Sequence, residues 1–180
     1  MSASHSSQSG LKRAQQLAQK RSLPELLVEL SQGVHLEVPP GTQEIRIIPA
    51  FWNTPLIIFE KIGPQRAVFL FGARPATMSA LPGELVPEGL IRSLKSLADP
   101  TRLKILYSLS QEELTPSKLA ARLHLRAPTL THHLNDLRLA GLVNLTAKGQ
   151  EKYYTTRLEA IDATHASLKS FLKKTQKAAK

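Results

Sequence analysis

The chain has no cysteine, which excludes disulfides, thiolate metal ligands and redox chemistry at sulfur, and permits a reducing compartment. It lacks any apolar run near the roughly eighteen residues a membrane span requires. Its opening stretch, MSASHSSQSG, is rich in serine and carries no apolar leader segment. The expectation is a cytoplasmic protein with no membrane partner and a disordered tail at residues 1–10. Gly-rich phosphate loops, a Ser-His-Asp arrangement and carboxylates paired for acid and base work are all missing, so neither an enzyme nor a cofactor is expected. Aromatic residues are few, at 5%, and unevenly spread. Phe51, Trp52, Phe59, Phe69 and Phe71 fall close together, either as the core of a small sheet or as the lining of a pocket for an apolar effector.

Acidic residues are the other shortage, with 14 Asp and Glu against 24 Lys and Arg for a net charge of +10. The excess is placed on one side of the chain. Residues 1–89 hold eight cations and seven carboxylates, whereas residues 90–180 hold sixteen and seven. A surplus of that size attracts polyanions, nucleic acid first among them, although a solvated basic face has the same composition. At 180 residues the chain can form one ordinary domain or two small ones, and the charge division favours two.

Residues 11–72 read as a helix followed by a small sheet. Leucines from Leu11 to Leu30 recur at helical spacing, with an interruption at Ser22 and Pro24 where a second helix can start, and Gly33 stops it. The period then changes. VHLEV (34–38) alternates, and IRII (45–48), LIIF (56–59) and AVFLF (67–71) are short β-branched or aromatic runs bounded by turn residues, predicting an antiparallel sheet of four strands. Residues 73–89 hold three prolines and two glycines and read as a linker.

Residues 90–175 are predominantly helical. One helix carries Leu90, Ile91, Leu94 and Leu97 and stops before Pro100, because the residue before a proline avoids the α region. Asp99 caps the next, with Leu103, Ile105, Leu106 and Leu109 inside. Thr115 caps a third, short one, and a turn at Leu125–Ala127 leads to a helix over 128–140 that Gly141 ends. LVNLTAKGQEKYYTT predicts a β-hairpin with a basic tip, and an amphipathic helix on Leu158, Ile161, Leu168, Phe171 and Leu172 closes the chain. This order is that of a winged helix-turn-helix, so the fold class is α+β, with a small N-terminal antiparallel sheet domain.

The helix over 128–140 separates two faces. At about 100° per residue, Leu130, Leu134 and Leu137 form a seam for burial. Thr129, Thr131, His132, Asn135 and Asp136 point outward, and His133 sits at the border. Outward threonine, histidine and asparagine side chains suit base edges: Asn pairs with adenine, and Thr offers a hydroxyl and a methyl. Leu139 falls opposite the seam and has no place in a wet face.

The stretch from Leu94 to Thr156 resembles the ArsR family of winged-helix repressors, through LADPTRLKIL, TLTHHLNDLRLAGLV and the hairpin ending in YYTT. The resemblance implies a homodimer joined by the helix before Asp99 and the one after Leu158, which makes Leu90, Ile91, Leu94, Leu158, Ile161, Leu168 and Phe171 the candidate interface. It implies Thr129, Thr131, His132, His133 and Asn135 as contacts to double-stranded DNA, and Lys148, Gln150 and Lys152 of the wing as backbone or minor-groove contacts. Lys118, Arg122, Arg126 and Arg138 are the further candidates for phosphates.

The chain departs from the family in ways that bear on metals. Metal-sensing members carry cysteines where this one reads ELTPSKL, with Thr115 and Ser117 at those places. On the last helix only Asp162 and His165 stand at ligand spacing, too few for a site. His132 and His133 are adjacent, so they diverge on the helix and cannot chelate one ion. No metal is expected. The reading is a dimeric repressor binding DNA by sequence, with a small-molecule effector of unknown identity as a further candidate partner. A winged-helix protein-interaction module, and an effector-binding domain fused to a winged helix, are the alternatives.

Overall fold

The computed structural model describes residues 3–51, 53–74 and 86–178, in two compact units, Met1–Pro75 and Ala76–Lys180. The linker read at 73–89 has residues 75–85 outside the described ones, and Glu88 and Gly89 already belong to a helix.

In the first unit two helices, α1 (Ala3–Ala18) and α2 (Leu23–Leu30), precede β1 (Val34–His35), β2 (Glu44–Ala50), β3 (Ile58–Lys61) and β4 (Arg66–Gly72). The break between the helices is chemical: Ser22 donates from its N–H to Glu25 at 3.0 Å and Pro24 occupies the first turn, which starts a new helix rather than continuing the old one. Gly33, at φ 102°, ends α2, its N–H donating to the Val28 carbonyl at 2.9 Å. Residues 3–10, expected to be disordered, are helical. Gly10 allows the helix to approach closely: it is buried, and a Cβ there would stand 2.6 Å from the Cβ of Ala73.

The sheet is mixed, where an antiparallel one of four strands was expected. Its order is β2-β4-β3, with β2 parallel and β3 antiparallel to β4, and VHLEV supplies only the two-residue β1. The central place goes to β4 because AVFLF is apolar at every position, which suits a strand with a neighbour on either side. Pro49 is tolerated in β2 because β2 is an edge strand. Phe69 and Phe71 lie fully buried against Leu26, Leu27 and Leu30. Phe59 meets Phe69 edge-on at 6.0 Å and Phe69 stacks with Phe71 at 6.2 Å. The aromatic concentration is therefore largely core, with Phe51 set apart under the Arg74 guanidinium at 5.8 Å. Trp52 lies outside the described residues.

In the second unit the expected order is borne out: α3 (Glu88–Leu97), α4 (Pro100–Gln111), α5 (Pro116–Leu123), α6 (Ala127–Leu139), the hairpin β5 (Val143–Lys148) and β6 (Glu151–Thr156), then α7 (Leu158–Ala178). Asp99 accepts from the Arg102 N–H at 2.8 Å and Thr115 from the Lys118 N–H at 3.4 Å, each with proline in the first position. The core gathers Ile105, Leu106 and Leu109 of α4, Leu119 of α5, Leu130, Leu134 and Leu137 of α6, and Leu142 and Val143 at the start of the wing. Each such side chain stabilises by about 1.5–3 kcal/mol on burial. The two-residue tip of the wing puts Gly149 at φ 62°, a first central position that glycine fills without strain. No helix among the described residues is long and apolar enough to cross a membrane.

Candidate nucleic-acid interface

Helix α6 is set by its leucine seam. Leu130, Leu134 and Leu137 are 1%, 3% and 0% exposed, and with that face fixed Thr129, Thr131, His132 and Asn135 are all exposed. His133 is half-buried, as its border position requires, and its Nδ1 is buried without a hydrogen-bond partner. The Thr131 hydroxyl donates to the Ala127 carbonyl at 2.9 Å, which leaves its lone pairs and methyl turned outward. The helix opens without a side-chain cap and without an acidic residue in its first turn, so its first N–H groups and its positive dipole end face outward. Leu139 is half-buried at the far end.

Asp136 departs from the wheel reading. It does not project as an outward group but accepts from Arg102 Nη1 at 2.7 Å, and His132 Nε2 lies 3.6 Å from the same carboxylate oxygen. Arg102, 15% exposed, also donates to the Ser96 and Lys95 carbonyls at 3.1 Å each. Those are unpaired carbonyls of the last turn of α3, so one guanidinium fastens α3, α4 and α6. Asp99, beside it, has its carboxyl held below the ordinary value chiefly by the hydrogen bond from the Arg102 backbone, which outweighs the opposing cost of burial, with the Arg102 guanidinium adding a lesser pull in the same direction.

The cations around α6 fall into two groups. Lys118, Arg126 and Lys152 are exposed, together with Gln150 at the wing tip, and Arg138 is half-buried. Arg122 is instead bound to Glu112 at 2.6 Å, and Lys148 to Glu113, with its ammonium 4.8 Å over the Tyr153 ring. Tyr153 donates to Glu151 at 2.6 Å, and this bond, with burial and the Glu151 charge, holds its phenol above the ordinary value. Leu114, next to Glu113, forms a backbone bridge with Tyr154 of the wing, N–H to carbonyl in both directions at 3.1 and 2.9 Å, which brings Glu113 beside the strand pair that carries Lys148. Sequence reasoning overlooked Arg102, Glu112 and Glu113. Arg102 three residues after a capping Asp was a visible signal for the first; nothing local signalled the other two, whose partners lie 10 and 35 residues away.

The two adjacent histidines diverge, with ring centroids 6.0 Å apart and planes at 48°. No group of three or more His, Asp or Glu side chains suited to a metal ion occurs among the described residues. Along α3 and α7, Leu94 and Leu158 are exposed, the latter at 60%, and Ile91, Ile161, Leu168 and Phe171 are half-buried. Leu90, expected at an interface, is already buried within its own protomer and anchors α3 there instead.

A family model described as the bacterial regulatory protein arsR family matches residues 99–144, which run from the Asp99 cap through α6 into the wing. Transcriptional repressor SdpR of Bacillus subtilis is 31% identical over 80 residues, 44% of this chain and 89% of the repressor. Nodulation protein NolR of Rhizobium meliloti is 36% identical over 87 residues, 47% of this chain and 71% of that protein. Among solved structures, NolR from Sinorhizobium fredii is 32% identical, covering 44% of this chain and 80% of that one with a TM-score of 0.39. From the family match across the helix-turn-helix and the alignment to 89% of the length of a 31% identical repressor, the chain belongs to the ArsR family of bacterial regulatory proteins.

Proposed function

We propose that the chain is a dimeric, sequence-specific DNA-binding transcriptional regulator that acts as a repressor. The observation that carries this reading is the division of α6, which buries three leucines and turns Thr129, Thr131, His132 and Asn135 outward from an uncapped, acid-free helix start. Such a helix fits the major groove and offers donors and acceptors to base edges. His133, half-buried, steadies the helix more than it reads. Lys118, Arg126, Arg138, Lys152 and Gln150 flank it as contacts to phosphate and sugar, which position the protein without specifying sequence. Arg122 and Lys148 join them by exchanging a glutamate for a phosphate.

Leu94 and Leu158, with the half-buried apolar side chains beside them on α3 and α7, supply a stripe for the second protomer. Two recognition helices then meet successive major grooves about one helical turn apart. Repression is the reading favoured by SdpR, whose name states that activity.

The test is fluorescence anisotropy of labelled duplex from the gene's own upstream region against a scrambled duplex, at two salt concentrations. The expected result is a preference of roughly a thousandfold with a steep fall in affinity as salt rises. Weak and equal binding to both duplexes overturns the proposal and leaves a basic surface without base reading.

A further inference from the structure

The first unit presents a sheet whose central strand, β4, is apolar on both faces from Ala67 to Phe71. The inner face of β4, at Ala67, Phe69 and Phe71, is buried against α1 and α2. Its outer positions are Val68 and Leu70, where a sheet with one wet face carries polar residues. The register extends the outer face across all three strands. Ile48 of β2 and Ile58 of β3 both pair with Leu70, making one row; Arg46 of β2 and Glu60 of β3 both pair with Val68, making the next. Ile48 and Ile58 are 42% and 46% exposed, which is unusual for aliphatic residues at adjacent positions of a sheet surface.

We propose that this outer face is a self-association surface that takes the same face of a second copy of the chain. The charge pattern selects the occupant. A two-fold axis lying between two such sheets and parallel to their strands keeps each row opposite itself and exchanges the outer strands. Leu70 then faces Leu70, Ile48 faces the second copy's Ile58, and Arg46 faces the second copy's Glu60. An in-plane axis perpendicular to the strands instead lays each strand over its own copy, so Arg46 never faces Glu60, and placed between the rows it sets the isoleucine row against the charged one. Only the first arrangement is complementary in both apolarity and charge, and it is isologous, as closed dimers require. Two faces related this way pack about 10 Å apart with strands nearly aligned. The Arg46 guanidinium already holds Glu44 at 2.8 Å within its own strand, which orients it at the edge where the second copy's Glu60 arrives.

The absence of cysteine makes the test direct in the full-length chain. Leu70→Cys, treated with a short bismaleimide, is expected to link to itself, because this position lies on the axis. Ile48→Cys and Ile58→Cys are expected to link to each other in a mixture several times more than either links alone. Arg46→Glu and Glu60→Arg, each added singly to Leu70→Cys, are expected to reduce linking by several fold, and the two together in one chain to restore it. Circular dichroism confirms folding of each variant. Failure of folded Leu70→Cys to link, or equal linking of Ile48→Cys and Ile58→Cys alone and mixed, overturns the proposal and assigns the face to another occupant. The outcome does not depend on DNA binding.

Discussion

Arg102 and Asp136 stand 34 residues apart in sequence and meet at 2.7 Å. Their contact joins the first turn of α4 to the last turn of α6, and the other nitrogens of the same guanidinium close two carbonyls at the end of α3. Orientation of the outward face of α6 therefore rests on a polar fastening as well as on its leucine seam. Arg102→Ala is expected to lower stability by roughly 2 kcal/mol, because it strands a carboxylate and two carbonyls at once. Arg102→Lys recovers only part of this, since an ammonium lacks the planar fork. Urea unfolding midpoints measure both, and an Arg102→Ala midpoint equal to that of the parent chain refutes the fastening.

Asp99 has a pH signature. Its carboxyl is held below the ordinary value when folded, so the stability it contributes is present above the unfolded pKa of about 4 and is lost as pH falls through the lower, folded one. Asp99→Ala is expected to cost about 1 kcal/mol at pH 7 through loss of the helix cap. The gap between variant and parent closes as pH falls below about 4. A gap that stays constant from pH 7 to pH 3 in thermal denaturation removes the cap's charge from the account.

The roles proposed for Asn135 and Lys148 predict different effects on DNA binding. Asn135→Ala is expected to cost roughly 1–3 kcal/mol on the preferred sequence and little on others, flattening the preference. Lys148→Ala weakens binding to every sequence alike and reduces the salt slope by about one. Anisotropy titrations across a small set of operator variants separate the two patterns.

Glu113 is paired with Lys148, so the phosphate contact proposed for Lys148 requires that pair to open. Glu113→Gln is expected to raise affinity for all sequences several fold, and to give no such gain in a Lys148→Ala background. A gain that persists without Lys148 identifies a general charge effect in place of a paired one, and the double-mutant cycle reads the difference directly.

Leu137 is buried and Thr129 exposed on the same helix. Leu137→Ala opens a cavity in the core and is expected to cost about 2–5 kcal/mol. Thr129→Ala, on the exposed face, shifts stability by less than about 0.5 kcal/mol while still weakening DNA binding. Chemical denaturation of both variants beside their DNA titrations tests the two-faced reading of α6.

The second unit was legible in the sequence because its signals were local. Asp99, Thr115 and Gly141 mark helix ends by side-chain or backbone chemistry confined to three or four residues, and Leu130, Leu134 and Leu137 repeat at the helical period. The first unit was less so. AVFLF announces a strand, but its parallel pairing with β2 depends on a connection that carries β3 to the far edge, and no residue pattern states that topology. The Ser-rich opening has little apolar periodicity, so its helix was missed; Gly10 records its approach to Ala73 only once both are placed. In the candidate interface, spacing gave the outward face of α6 correctly for Thr129, Thr131, His132 and Asn135. It failed for Asp136, since a helical wheel knows nothing of Arg102 on another helix.

The bridge between Leu114 and Tyr154 couples the turn before α5 to the second strand of the wing through two reciprocal backbone hydrogen bonds. Helix-turn-helix and wing are in this way one template whose spacing is set before any duplex arrives. A duplex that already matches this template meets little ordering entropy in these elements on binding. Discrimination is then expected to fall on the deformability of the DNA as well as on its base edges, because a reader held in one shape favours an operator that bends or twists to fit.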